Sequence, residues 1–158
     1  MSMNIKRRVF LKGSLAAGTA GVAVGAGLIA PQAVIAAWNE SAFKAKSMDD
    51  ALAAAMGSGA STSSDAIKIK APDIAENGAV VPVSIASDLS NVESIALLAE
   101  GNNTPLVATF TMGDGGLPDV STRIKMGKTS DVIAVVKADG KLLSATKSVK
   151  VTIGGCGG

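Results

Sequence analysis

The residue best equipped for chemistry is Cys156, the only cysteine among 158 residues, set in the run Gly154-Gly155-Cys156-Gly157-Gly158. A thiolate is a strong nucleophile and readily bonds to another sulfur. The glycines around it remove every side chain that could wall it in. Glycine enters positive φ as easily as negative φ, so the sequence predicts a mobile arm. Three residues beyond Ile153 reach about 10 Å when extended. Nothing nearby activates the thiol. The nearest cations in sequence are Lys147 and Lys150, whereas the carboxylate of Gly158 is closer and would raise a thiol pKa of about 8.5. Activation must therefore come from a partner's active site, and Cys156 reads as a covalent handle rather than a nucleophile with its own pocket.

The rest of the inventory excludes most catalysis. There is no histidine and no tyrosine, which removes histidine triads, histidine metal ligands and the commonest general base. One cysteine cannot build a thiolate metal site. Asp73, Glu76, Asp88, Glu93, Glu100, Asp114, Asp119 and Asp131 fall in expected loops or at strand ends and read as solvated charge. Gly113-Asp114-Gly115-Gly116 has neither the following helix nor the lysine of a phosphate loop, so it reads as a turn. No metal and no cofactor are expected, only a covalent adduct on Cys156.

At the other end, Lys6-Arg7-Arg8-Val9-Phe10-Leu11-Lys12 has the pattern of a twin-arginine export signal, carried by Arg7 and Arg8. Gly13 to Ala30 is apolar but holds five glycines, which weaken a helix. Pro31 and then Ala33-Val34-Ile35-Ala36 resemble a small-residue cleavage site. Residues 1–36 are expected to be removed after Ala36, leaving a periplasmic protein with no membrane segment; a retained membrane anchor is the competing reading. Removal of Lys6, Arg7, Arg8 and Lys12 from the 15 Lys+Arg leaves 11 against 13 Asp+Glu, a net −2. With no basic stripe and few aromatics, nucleic acid is not an expected partner.

The elements that must carry the arm read as β-structure. The 122 residues left after position 36 suit one domain. One helix is expected over Ser47–Gly57, with Ser47 as N-cap, acids in the first turn and Gly57 as the stop. Residues 57–65 read as a linker, so that 37–65 form a helix and linker, 66–153 the sandwich and 154–158 the arm. Strands are expected near 66–70, 79–86, 92–99, 105–112, 119–126, 131–138 and 141–153. Leu106, Ala108, Phe110 and Met112 are expected on one face. So are Val120, Thr122, Ile124 and Met126, with Ser121, Arg123 and Lys125 outward. Turns are expected at Asn77-Gly78, Gly101-Asn102-Asn103, Gly113–Gly116 and Asp139-Gly140, the last a strong hairpin signal. Pro82 suggests an edge strand or a bulge. The fold class is all-β, an immunoglobulin-like β-sandwich without the usual cysteine pair.

The tail resembles the swinging arm of the SoxY sulfur-carrier family of thiosulfate oxidation. Ala71-Pro72-Asp73-Ile74-Ala75-Glu76-Asn77-Gly78-Ala79-Val80-Val81-Pro82-Val83 resembles that family's Ala-Pro-x-Ile-Ala-Glu-Asn-Gly-x-x-Val-Pro-Val stretch, and the leader is also similar. Lys6 departs from the Ser or Thr usual in the export motif. The resemblance implies a non-catalytic carrier that binds pathway intermediates covalently at Cys156. It implies a heterodimer with a SoxZ-like sandwich subunit, a haem enzyme that conjugates thiosulfate to the cysteine, a dimanganese hydrolase that releases sulfate and a sulfane dehydrogenase. From a different class, Cys156 could tether the sandwich to a partner by an intermolecular disulfide. A thiol enzyme acting alone is disfavoured, because no basic loop in the sequence cradles the cysteine.

Overall fold

The computed structural model describes residues 39–113 and 115–152. Among the described residues two short helices come first, α1 (Glu40–Lys44) and α2 (Met48–Met56). Asn39 caps α1, its Oδ1 accepting from the Ala42 N–H at 3.1 Å. Glu40 and Lys44 pair one turn apart. Ser47 caps α2 by accepting from the Asp50 N–H at 3.1 Å, and Gly57 ends it in the left-handed conformation at φ 89°. The expected helix is thus present with both caps. The five-residue α1 was not expected, being too short to show a hydrophobic period.

Nine strands follow: β1 (Thr62–Ser63), β2 (Ile67–Lys70), β3 (Ile74–Ala75), β4 (Val81–Ser87), β5 (Val92–Ala99), β6 (Leu106–Thr111), β7 (Asp119–Ile124), β8 (Ser130–Ala138) and β9 (Lys141–Val151). All seven expected strands are among them. The two additions, β1 and β3, are two-residue pieces that pair in parallel with β9. The larger sheet runs β1-β9-β8-β5-β6 with β3 also on β9, and the smaller runs β2-β4-β7. The hairpin at Asp139-Gly140 joins β8 to β9 with φ 49° and 72°, the doubly positive pair of a type I′ turn.

The sheets pack face to face as an immunoglobulin-like sandwich. Val81, Val83 and Ile85 of β4, with Ile67 and Ile124, meet Ile95 and Leu97 of β5, Val132 and Val136 of β8 and Val149 of β9. A second core lies on the outer face of the larger sheet, where Ala42, Ala51, Leu52 and Met56 of the helices cover Ala96, Leu98, Leu106 and Val135. Ala42 and Ala51 are fully buried, so their small size sets how closely the helices lie on the sheet.

Two expectations change. Leu106 does not share a face with Ala108, Phe110 and Met112. The pairing slips at Leu97/Leu98, so that Leu97 opposes Ala108 while Leu98 opposes Leu106. The extra residue, Val107, reverses the alternation and sends Leu106 under the helices. Pro82 does not mark an edge strand, because β4 is the centre of the smaller sheet. Its pairing with β2 ends at Ser84, opposite Lys70, and at Pro82 only Arg123 of β7 is opposite. The strand is one-sided there, which is what a residue without an N–H needs. Among the described residues no helix is long and apolar enough to cross a membrane.

Candidate functional site: the root of the C-terminal tail

Cys156, with Gly154, Gly155, Gly157 and Gly158, lies outside the described residues, as do Arg7 and Arg8. What the structure describes is the chain up to Thr152, four residues before the cysteine. The end of β9 is held from two sides.

On one side is β3. It pairs with β9 so that Ile74 opposes Lys150 and Ala75 opposes Val151. The Asp73 carbonyl accepts from the Lys150 N–H at 2.9 Å, and the Ala75 carbonyl accepts from the Thr152 N–H at 3.0 Å. The Thr152 hydroxyl reaches the same carbonyl at 3.5 Å. Lys147 adds a charge clamp, its Nζ donating to Asp73 Oδ1 at 2.6 Å. That hydrogen bond, followed by the charge of the same ammonium, holds the Asp73 carboxyl below the usual aspartate range, and the slight burial opposes it.

On the other side is the loop between β7 and β8. The Thr129 hydroxyl accepts from the Val151 N–H at 2.9 Å and donates to the Val151 carbonyl at 3.2 Å. Gly78 closes the arrangement. Its carbonyl accepts from the Met126 N–H at 2.7 Å, and a Cβ there would sit 2.4 Å from the Met126 carbonyl oxygen and 2.8 Å from Val151 Cγ1. Only glycine allows this approach. Asn77 sets up the turn, its side chain accepting from the Ala79 N–H at 2.9 Å.

A polar net thus fixes the chain up to Thr152. Reasoning from sequence named the tail but not Asp73, Ala75, Thr129 and Lys147 as its anchors. They lie between 22 and 77 residues from their partners, so no local spacing announces them. The stretch 71–83 that carries the family resemblance is the signal that was available, and the structure places β3 and Gly78 of that stretch against the root of the tail.

The expected acids do not converge. Among the described residues no three of His, Cys, Asp and Glu are grouped to hold a metal ion, and no polar or charged residue is buried. Asp73 pairs with Lys147, Asp88 with Lys68 and Glu93 with Lys137, each at the surface where such pairs contribute little. The Gly113–Gly116 segment closes by a bond from the Gly116 N–H to the Gly113 carbonyl at 2.9 Å, as a turn should.

Fold and site together define a class, a small β-sandwich that holds rigid the base of a tail bearing its one thiol. The family model of sulfur oxidation protein SoxY matches residues 52–156, through the cysteine. The solved structure of the sulfur carrier protein SoxY from Chlorobium limicola f thiosulfatophilum is 46% identical, with a TM-score of 0.62, and the match covers 72% of this chain and 99% of that one. The chain belongs to the SoxY family of sulfur carrier proteins. A superoxide reductase (neelaredoxin) from Ignicoccus hospitalis is also similar, at 19% identity and a TM-score of 0.48 over 54% of this chain and 80% of that one. No curated protein sequence matches.

Proposed function

We propose that this chain is a non-catalytic periplasmic carrier that holds thiosulfate-derived groups on Cys156 and presents them to the enzymes of sulfur oxidation. The observation that carries the reading is a family match that runs through the sandwich and into the cysteine of the tail. In the first step the Cys156 thiolate forms a sulfur–sulfur bond to the outer sulfur of thiosulfate, giving Cys–S–S–SO3−, and two electrons pass to a haem-containing partner. Water then cleaves the terminal sulfone as sulfate at a dimanganese partner, releasing two protons and leaving a persulfide. A sulfane dehydrogenase oxidises that persulfide. A SoxZ-like sandwich subunit forms the heterodimer and travels with this chain through the twin-arginine route addressed by Arg7 and Arg8.

The anchored root supports this reading. Bonds to Val151 and Thr152 fix the place on the sandwich from which the cysteine-bearing segment departs. Mass spectrometry of protein from thiosulfate-grown cells tests the proposal: sulfur and thiosulfate adducts on Cys156 are expected. Finding Cys156 only in a disulfide with another protein would overturn the carrier in favour of a tether. Cys156→Ser should abolish thiosulfate oxidation while leaving Tm unchanged. A Tm several degrees lower would show that the cysteine is structural.

A further inference from the structure

The β5–β6 turn and the β7–β8 loop face each other across a cleft of about 580 Å³ whose walls include Gly101, Asn102, Thr104, Leu106, Lys125 and Lys128. Asn102 holds the two walls together. Its Nδ2 donates to the Lys125 carbonyl at 2.8 Å, and its Oδ1 accepts from the Gly127 N–H at 2.9 Å. Gly101 receives the stem of Lys128, since a Cβ there would lie 2.9 Å from Lys128 Cγ. The ion pairs among the described residues engage Lys44, Lys68, Lys137 and Lys147. Lys125 and Lys128 take part in none of them. Two such ammonium groups, beside amide and hydroxyl donors, suit an anion with several oxygens.

The cleft adjoins the root of the tail. Lys128 immediately precedes Thr129, which bonds Val151, and Lys125 immediately precedes Met126, which donates to the Gly78 carbonyl. At about 3.8 Å between neighbouring Cα atoms, both lysines start within roughly 15 Å of Val151. Cys156 lies four residues beyond Thr152, a reach of about 13–14 Å at 3.3–3.6 Å per residue. The chain beyond Thr152 is long enough to lay the thiol over the cleft.

We propose that this cleft receives the anionic end of the group carried on Cys156, a sulfonate linked through sulfur to the thiol, with Lys125 and Lys128 as its cationic ligands. The inference rests on the carrier reading. It adds a difference between states: a sulfonated tail offers the two ammonium groups an anion with three oxygens, and a tail that has lost its sulfonate does not. The loaded and unloaded carriers then present different surfaces to their partners.

Tetrathionate supplies the loaded form without any pathway enzyme. The Cys156 thiolate attacks an inner sulfur, a sulfur–sulfur bond forms to give Cys–S–S–SO3−, and thiosulfate leaves with the electron pair of the broken bond. Loading is confirmed by mass, and backbone amide NMR spectra are compared before and after. The expected result is shifted signals from Gly101, Asn102, Gly127 and Lys128 in the loaded protein, lost in Lys125→Gln with Lys128→Gln although that variant loads equally. Shifts confined to residues beyond Thr152 would overturn the proposal. So would shifts of the cleft signals on deleting Gly157 and Gly158 from unloaded protein, which would make the terminal carboxylate the occupant. Adducts on Cys156 in cells without cleft shifts would defeat this inference and leave the carrier standing.

Discussion

The two sheets of the sandwich are built to different rules. The smaller one has one face on the core and one in water, and its strands alternate. In β2, Ile67 and Ile69 face inward while Lys68 and Lys70 are exposed, and in β7 Val120, Thr122 and Ile124 alternate with exposed Asp119, Ser121 and Arg123. The larger sheet is covered twice, by the smaller sheet within and by α1 and α2 without. Residues 95–99 of β5 are all fully buried, Ile95 and Leu97 toward the sandwich and Ala96 and Leu98 toward the helices. A half-solvated strand advertises its facing by alternation. A doubly covered one reads as a continuous apolar run, and its facing is settled only by what lies on each side.

The largest test of that contrast is a pair of truncations on β5. Leu97→Ala and Leu98→Ala should each cost about 2–5 kcal/mol in denaturant unfolding, because both side chains are fully buried on opposite faces. Arg123→Ala, on the solvent face of the smaller sheet, should stay within about 0.5 kcal/mol. A cost for Leu98→Ala as small as that of Arg123→Ala would mean that the helices merely rest on the sheet.

A smaller effect is expected where the two sheets' segments meet. Gly78→Ala forces a methyl against the Met126 carbonyl and Val151. Backbone cannot give way as a flexible side chain does, so a loss of about 1–3 kcal/mol is expected. Amide exchange should quicken most at Val151 and Thr152. Uniform destabilisation, with no selective loss of protection at those two residues, would show that the root of the tail is not tied to this turn.

The smallest effect concerns the charge clamp on β3. Asp73 has a carboxyl held low by Lys147. A carboxyl depressed in the folded state adds stability above the ordinary aspartate range, and that stability is lost as pH falls through the lowered value. Lys147→Gln should return the Asp73 titration, followed by carboxyl carbon NMR, to the ordinary range. The acid limb of the stability curve should change only slightly, because the Asp73 side chain is 88% exposed and water screens the pair. An unchanged Asp73 titration would remove Lys147 from the root.

The amino-acid sequence determined by itself those features whose causes are local. Ser47 and Gly57 delimit α2 because capping involves residues three apart. Asp139-Gly140 sets the β8–β9 hairpin because only such a pair accepts two positive φ angles. The alternation of β2 and β7 gives their facing because one side of each meets water. The lone thiol among glycines was equally legible, since composition alone isolates it.

Tertiary structure decided what distant segments negotiate. Val107 is an extra residue only relative to β5, so no reading of β6 alone could turn Leu106 toward the helices. Pro82 is tolerated in a central strand only because β2 stops short of it. The two-residue strands β1 and β3 have too few residues to show a period, and they exist because β9 offers them an edge. The anchoring of the tail by Asp73, Ala75, Gly78 and Thr129 likewise depends on backbone groups brought together from across the chain. Hydrogen bonds between segments tens of residues apart leave no periodic trace in sequence, and the packing of the sandwich alone chooses them.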